Sequence, residues 1–260
     1  LLILLSPAKN LDFEPAPQNL SKTSPRLSGE TELLLKRTKS LSRSDLRSLM
    51  KLSENLADLN YERFQALSDG LPDSEAKQAI LAFNGDVYRG LDAGTLQDND
   101  LNWAQTHLRL LSGLYGVLRP MDSIHPYRLE MGTRLDTDRG ATLYDFWGDR
   151  ISKQLNEDMT EADGPILNLA SKEYFGAVDK KALKSSVIDV DFREVTDKGS
   201  KIISFYAKYA RGLMARWVIE HRITDASDLK TFDIDGYRFQ ADQSSSGKLV
   251  FSRPKPEPKS

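Results

Sequence analysis

The sequence predicts a mixed α/β (α+β) protein, one compact domain over residues 1–253 with a mixed sheet flanked by helices. Three observations lead there. An unbroken apolar run at residues 1–5 and largely apolar runs at 108–111 and 166–170 have the length of buried strands and end in or near Ser6, Ser112 and Ser171. Stretches of helical apolar period lie between them, so strands and helices interleave along the chain. No internal repeat and no strong linker divides the 260 residues.

In chain order, the first strand at residues 1–5 is stopped by Ser6-Pro7, and residues 10–29, rich in Pro and Ser, read as a surface loop. Residues 30–67 are helical in period, with breaks near Ser40-Leu41-Ser42 and near Asp58-Leu59-Asn60. Ser74 caps the start of another helix, and residues 98–106 form a further one. Beyond the strand at 108–111, residues 127–135 are extended and 143–159 form one amphipathic helix. A helix opens near Ser171, straight after the strand at 166–170. Residues 187–195 alternate in polarity, as a half-buried strand does. Residues 201–206 read as a strand feeding a helix over 207–221, and 248–252 as a last strand. Residues 254–260, with three prolines, form a disordered tail.

Composition excludes several classes. With 39% hydrophobic and 28% charged residues, the chain is an ordinary globular one. It has no cysteine, which removes disulfides, thiolate metal sites and thiol nucleophiles together. Its apolar runs are too short for a membrane span, and residues 1–5 are too short for a signal core, so the expectation is a cytoplasmic protein with no membrane partner. The histidines His107, His125 and His221 show no metal-ligand spacing, and no nucleotide fingerprint is present, so no metal or cofactor is expected. A monomer is the expected state.

Net charge is only −2, but the charges are segregated. Residues 36–51 and 201–222 are basic, and residues 54–75 are acidic. The alternative to a basic site is a set of solvated helix faces. Four candidate strand ends carry functional groups: Ser6-Pro7-Ala8-Lys9, Ser112-Gly113, Ala170-Ser171-Lys172-Glu173, and Tyr206-Ala207-Lys208. In α/β sheets, ligands gather at the carboxyl ends of strands, so these turns converge if their strands are parallel neighbours. Arg119-Pro120 and Pro126-Tyr127-Arg128 hold two guanidinium groups on stiff backbone and suit phosphate or carboxylate recognition, with Asp122 and Glu130 as alternative ion-pair partners. On a helical wheel, Lys208, Arg211, Gly212, Ala215, Arg216 and Arg222 fall within roughly 140°, opposite Ala210, Leu213, Met214, Trp217 and Val218. Gly212 and Ala215 would leave room for a phosphate beside the cations. Residues 44–68 resemble a helix-hairpin-helix element whose turn is at 56–60, with Asp58 and Asn60 where glycines usually stand.

The runs LLILLSPAKNLDF, AFNGDVYRGL, LRLLSGLYGVLRPMDSIHPYRLEMGTRL, LYDFWGD, NLASKEYF and KIISFYAKYARGLMARWVIE resemble the bacterial YaaA family of peroxide-stress proteins, also called UPF0246. The resemblance covers the chain up to the Pro-rich tail. It implies a hydrogen-peroxide stress role that limits free iron and Fenton damage, an unusual α/β fold with a positively charged cleft, a helix-hairpin-helix element, and binding of double-stranded DNA. Motif matching places Lys9, Arg119, Arg128, Lys172, Lys208 and Arg211 around that cleft.

Two functions from different classes follow. The first is a duplex-DNA-binding stress protein whose phosphate contacts come from those cations and Arg216. The second is an enzyme acting on a nucleotide or damaged nucleic acid, with Glu173, Glu130 and Tyr88 as catalytic groups and a small nucleotide as ligand. Direct iron sequestration has the least support, because no ligand cluster is visible.

Overall fold

A computed structural model describes residues 1–15 and 21–257, without the side chain of Glu161. The loop expected at 10–29 therefore lies partly outside the described residues, as do positions 258–260 of the tail.

The N-terminal half begins with β1 (Leu2–Leu5) and a two-residue strand β2 (Asn10–Leu11). Three helices follow: α1 (Ser28–Lys39), α2 (Arg43–Met50) and α3 (Glu54–Asp69). Ser42 caps α2 by accepting from the Asp45 amide, which explains the break seen at Ser40-Leu41-Ser42. The second expected break is misplaced. Lys51, with φ 52°, ends α2 in the left-handed region, and residues 56–60 lie inside α3. Asn60 stays helical because its side chain is buried and donates to the Leu56 carbonyl at 2.7 Å. The positions matched to hairpin glycines are thus helix interior, and Asp58 pairs with Arg43 at 3.0 Å. The turn of this helical pair is residues 51–53, not the one the motif needed.

Short elements come next: β3 (Lys77–Gln78), α4 (Ala79–Ala82), β4 (Phe83–Asn84) and α5 (Asp86–Leu91). The helix expected from Ser74 is only a turn at Asp73–Glu75, because Lys77 and Gln78 pair with a strand far along the chain. The chain continues through α6 (Asp98–His107), β5 (Leu108–Ser112), β6 (Gly116–Leu118) and β7 (Ser123–Ile124). Then follow α7 (Leu143–Trp147) and α8 (Arg150–Ala162), split where Gly148 takes φ 49°. One helix was expected there. The last segment holds β8 (Ile166–Asn168), α9 (Lys172–Phe175), β9 (Val187–Thr196), β10 (Gly199–Lys201), α10 (Ser204–Glu220), β11 (Arg238–Phe239) and β12 (Lys248–Pro254).

The strand expected at 201–206 ends at Lys201. β10 finds its partner only in Thr196–Glu194 of β9, and the backbone beyond turns to helical bonding. The tail begins later than expected: Pro254 pairs with Val195, and the Lys255 amide donates to the Val195 carbonyl at 3.0 Å.

The main sheet runs β11-β12-β9-β8-β1-β5-β6, with β10 beside β9. Its five inner strands are parallel, and β11 and β6 flank them antiparallel. β1 is central, pairing Leu4 with Arg109 on one side and with Asn168 on the other. Helices cover the sheet, so β1, β5 and β8 are buried at every position, which is why β1 is wholly apolar and β5 and β8 largely so, with Arg109, Ser112 and Asn168 as buried polar exceptions. β9 keeps the predicted alternation, with Ile188, Val190 and Phe192 turned into the core. No helix of the described residues is long and apolar enough to cross a membrane.

Candidate functional site

The ends of β1 and β8 are neighbours in a parallel sheet, so the turns after them do meet. The Ser171 amide donates to Ser6 Oγ at 2.8 Å and ties the two strand ends together. A cleft of about 390 Å³ opens there. Its lining includes Lys9 and Asn10 after β1, Glu173 and Tyr174 after β8, and Lys208 and Arg211 from α10. Asn84, Gly85, Asp86, Tyr88 and Arg89 at the start of α5 close another side. β5 contributes indirectly. Its end is locked by Ser112 Oγ and the Tyr127 hydroxyl at 2.6 Å, and a Cβ on Gly113 would overlap the Leu129 carbonyl. This close approach delivers Glu130 to the cleft.

The cleft is mixed in charge. Lys9, Arg89, Lys208 and Arg211 face Asp86, Glu130 and Glu173. Most of these groups are already matched. Glu130 lies between Lys9 at 2.8 Å and Arg128 at 3.0 Å, and Arg89 pairs with Asp86. Glu173 Oε1 accepts from the Gly132 amide at 2.9 Å. Among the described residues, Lys208 and Arg211 make no ion pair and no side-chain hydrogen bond. Lys208 is exposed, whereas Arg211 is recessed and its Nε is buried without a partner. Burial pulls the Arg211 pKa down, against the opposing fields of Asp191 and Asp189.

The expected catalytic groups all line the cleft, in differing states. Tyr88 is buried and its hydroxyl donates to the Ser6 carbonyl at 3.0 Å. Burial first, then the nearby Tyr127 and Tyr174, raise its pKa well above the usual tyrosine value. It therefore stays protonated and positions the β1 turn. Glu130 is neutralised by two cations. Glu173 retains one carboxylate oxygen free of hydrogen bonds among the described residues.

Two expected phosphate contacts lie elsewhere. Arg119 bonds Asp122 at 2.8 Å and the Ser24 carbonyl at 3.1 Å, holding a turn. Arg216 donates to the Leu91 and Asp92 carbonyls and to Thr95, and pairs with Glu220 at 2.9 Å. Lys172 is exposed beside the cleft but does not line it. The room expected beside Gly212 does not exist, because α5 fills it: a Cβ on Gly212 would overlap the Val87 carbonyl and lie 2.9 Å from the Gly90 Cα. A one-helix wheel shows where side chains point and is blind to a second helix on that face. Arg216→Gln is accordingly expected to lower stability by about 1–2 kcal/mol while leaving ligand affinity unchanged, as read from urea unfolding and binding in parallel.

Asn84, Asp86 and Arg89 were not singled out from the sequence as site residues. The signal available was the run Asn84-Gly85-Asp86, a turn directly before a helix. Among the described residues, no group of three or more His, Asp or Glu side chains is arranged to hold a metal ion.

The family model described as "Peroxide stress protein YaaA" matches residues 1–243. Relatives agree over nearly the full chain. A UPF0246 protein of Maricaulis maris is 56% identical over 257 residues, covering 98% of this chain and 97% of that protein. One from Phenylobacterium zucineum is 53% identical over 259 residues, covering 99% and 97%. One from Caulobacter vibrioides is 52% identical over 257 residues, covering 98% and 100%. With a family model and near-full-length relatives in agreement, the chain belongs to the YaaA peroxide-stress family, UPF0246.

Proposed function

We propose that the protein binds duplex DNA during peroxide stress, with Lys9, Lys208 and Arg211 contacting backbone phosphates and Lys172 and Arg128 flanking them. The observation that carries this reading is the pair Lys208 and Arg211, two cations at the strand ends without a carboxylate partner among the described residues. Such groups hold their donors ready for an external anion. The reading also connects to limiting Fenton chemistry. A cation seated on a phosphate displaces the counterions condensed there, and any ferrous iron bound at that phosphate would leave with them.

Binding would be strongly salt dependent. Three phosphate contacts give a slope near −2.7 in log–log form, or roughly a 40-fold loss of affinity between 50 and 200 mM salt. Fluorescence anisotropy of a labelled duplex measures this. Lys208→Glu combined with Arg211→Glu is expected to abolish most binding and flatten the slope. An affinity indifferent to salt would remove the proposal.

A second reading, hydrolysis of a nucleotide or damaged base, is favoured by the unengaged oxygen of Glu173 beside the cleft. That carboxylate can take a proton from an attacking water. Incubating damaged duplexes and nucleosides with the protein and with Glu173→Gln tests it. Equal product from both would retire it.

A further inference from the structure

We propose that Arg211 and Lys208 form a subsite for a phosphomonoester, the terminal phosphate of a nucleic-acid strand or of a nucleoside monophosphate. This deepens the duplex-binding reading and rests on it for the first of those two sources.

Arg211 and Lys208 hold donors that no described residue uses. A guanidinium carries five N–H donors and an ammonium three, and neither Arg211 nor Lys208 donates to an acceptor among the described residues. The acids that act on Arg211 are committed elsewhere. Asp191 is held by Lys248 at 2.7 Å and Arg193 at 2.8 Å, and Asp189 accepts from Asn168 at 2.7 Å. Within the cleft, Glu130 and Asp86 are likewise spoken for, and Glu173 is held by the Gly132 amide at 2.9 Å through one oxygen. Arg26, Arg128 and Arg253 also bury an Nε without a partner, but each is held through its other nitrogens; of the four, Arg211 alone makes no bond to a described residue, which marks the place of a missing acceptor.

Depth then selects the kind of acceptor. Lys9 and Lys208 stand exposed, with 62% of the Lys9 side chain open to solvent, whereas the Arg211 Nε is buried. An internal phosphodiester, flanked by sugars on both sides, can meet Arg211 from the rim through its outer nitrogens but cannot reach the buried Nε. A terminal phosphate has one free side and can enter. It also carries close to two negative charges and three strong acceptor oxygens, which matches two unspent cations better than a singly charged diester does. Lys208 and Arg211 are three residues apart on one helix, so both can address one group. The cleft, at about 390 Å³, falls within the range of small-ligand pockets.

The test uses the full chain and two ligand series. Anisotropy compares gapped duplexes ending in a 3′-phosphate or a 3′-hydroxyl with an intact duplex. Calorimetry compares a nucleoside 5′-monophosphate with its nucleoside. The expected result is a preference for the phosphate of about tenfold or more in at least one series, lost in Arg211→Met and reduced severalfold in Lys208→Gln. Preference in the gapped duplexes alone assigns strand ends, and preference in the mononucleotides alone assigns the free nucleotide. Salt-dependent binding of intact duplex with no phosphate preference in either series would overturn the subsite and leave the duplex reading standing. Phosphate preference in mononucleotides without duplex binding would do the reverse. A preference that survives in folded Arg211→Met also overturns the proposal. Should that variant not fold, the wild-type comparison and the exposed Lys208→Gln decide it.

Discussion

Asp158→Ala is expected to lower the unfolding free energy by about 3–5 kcal/mol, because it strands a buried arginine. Asp158 and Arg109 are 3% and 2% exposed. Arg109 Nε donates to Asp158 Oδ2 at 2.7 Å, and Arg26 Nη2 donates to the same oxygen at 2.9 Å. The remaining Arg109 bonds go to the Gln105 and Leu108 carbonyls at 2.9 and 2.7 Å. Arg109 belongs to β5 and Asp158 to α8, so the pair fixes a helix against the sheet's interior. Urea unfolding of wild type and variant measures the loss.

The same carboxylate predicts acid sensitivity. Burial alone would raise the Asp158 pKa, but hydrogen bonds from Arg26 and Arg109, with their charges, outweigh it and leave the pKa below the usual 3.8. The folded value is thus depressed. Its contribution is fully present above the unfolded pKa near 4 and is lost as pH falls through the folded value. Stability should decline as pH falls below about 5 and continue down past the depressed folded value in the wild type, and decline less steeply in the variant. Equal slopes would show that other carboxylates control the acid limb.

Gly212→Val is expected to cost about 3 kcal/mol and to abolish ligand binding, since the obstruction is backbone and cannot rotate aside. A Cβ there would overlap the Val87 carbonyl and come within 2.7 Å of the Leu91 amide nitrogen. The reciprocal contact is as tight: a Cβ on Gly90 would overlap the Tyr209 carbonyl and lie 3.0 Å from the Leu213 nitrogen. Forcing α5 away from α10 moves Asp86, Tyr88 and Arg89 off the cleft that Lys208 and Arg211 share with them. Thermal unfolding and ligand binding should both report the change. Gly29→Ala is the control: it has open space around it in α1 and should be neutral or slightly stabilising.

Where the sequence misled, partners distant along the chain decided the outcome. Residues 77–78 look helical until Ser123–Ile124 pairs with them. Asn60 looks like a turn former until burial turns its amide onto its own helix. Arg119 and Arg216 read as ligand contacts, yet they stand clear of the cleft, bound to Asp122 and to the carbonyls at the end of α5.

The local sequence by itself determined the buried strands after Leu1, Leu108 and Ile166, the alternation of β9, and the family, through runs such as LLILLSPAKNLDF and NLASKEYF. It also singled out the turns after β1 and β8 as places for chemistry. Apolar period and strand-end residues are local properties, visible along one chain direction. Only the tertiary structure decided that β1 stands between β5 and β8 in parallel, and that α10 lays Lys208 and Arg211 over the strand ends. It also decided that Glu130 is neutralised while Arg211 is left without a partner among the described residues. Charge compensation depends on separations of a few ångströms between groups far apart in sequence, so no reading of a single chain could supply it.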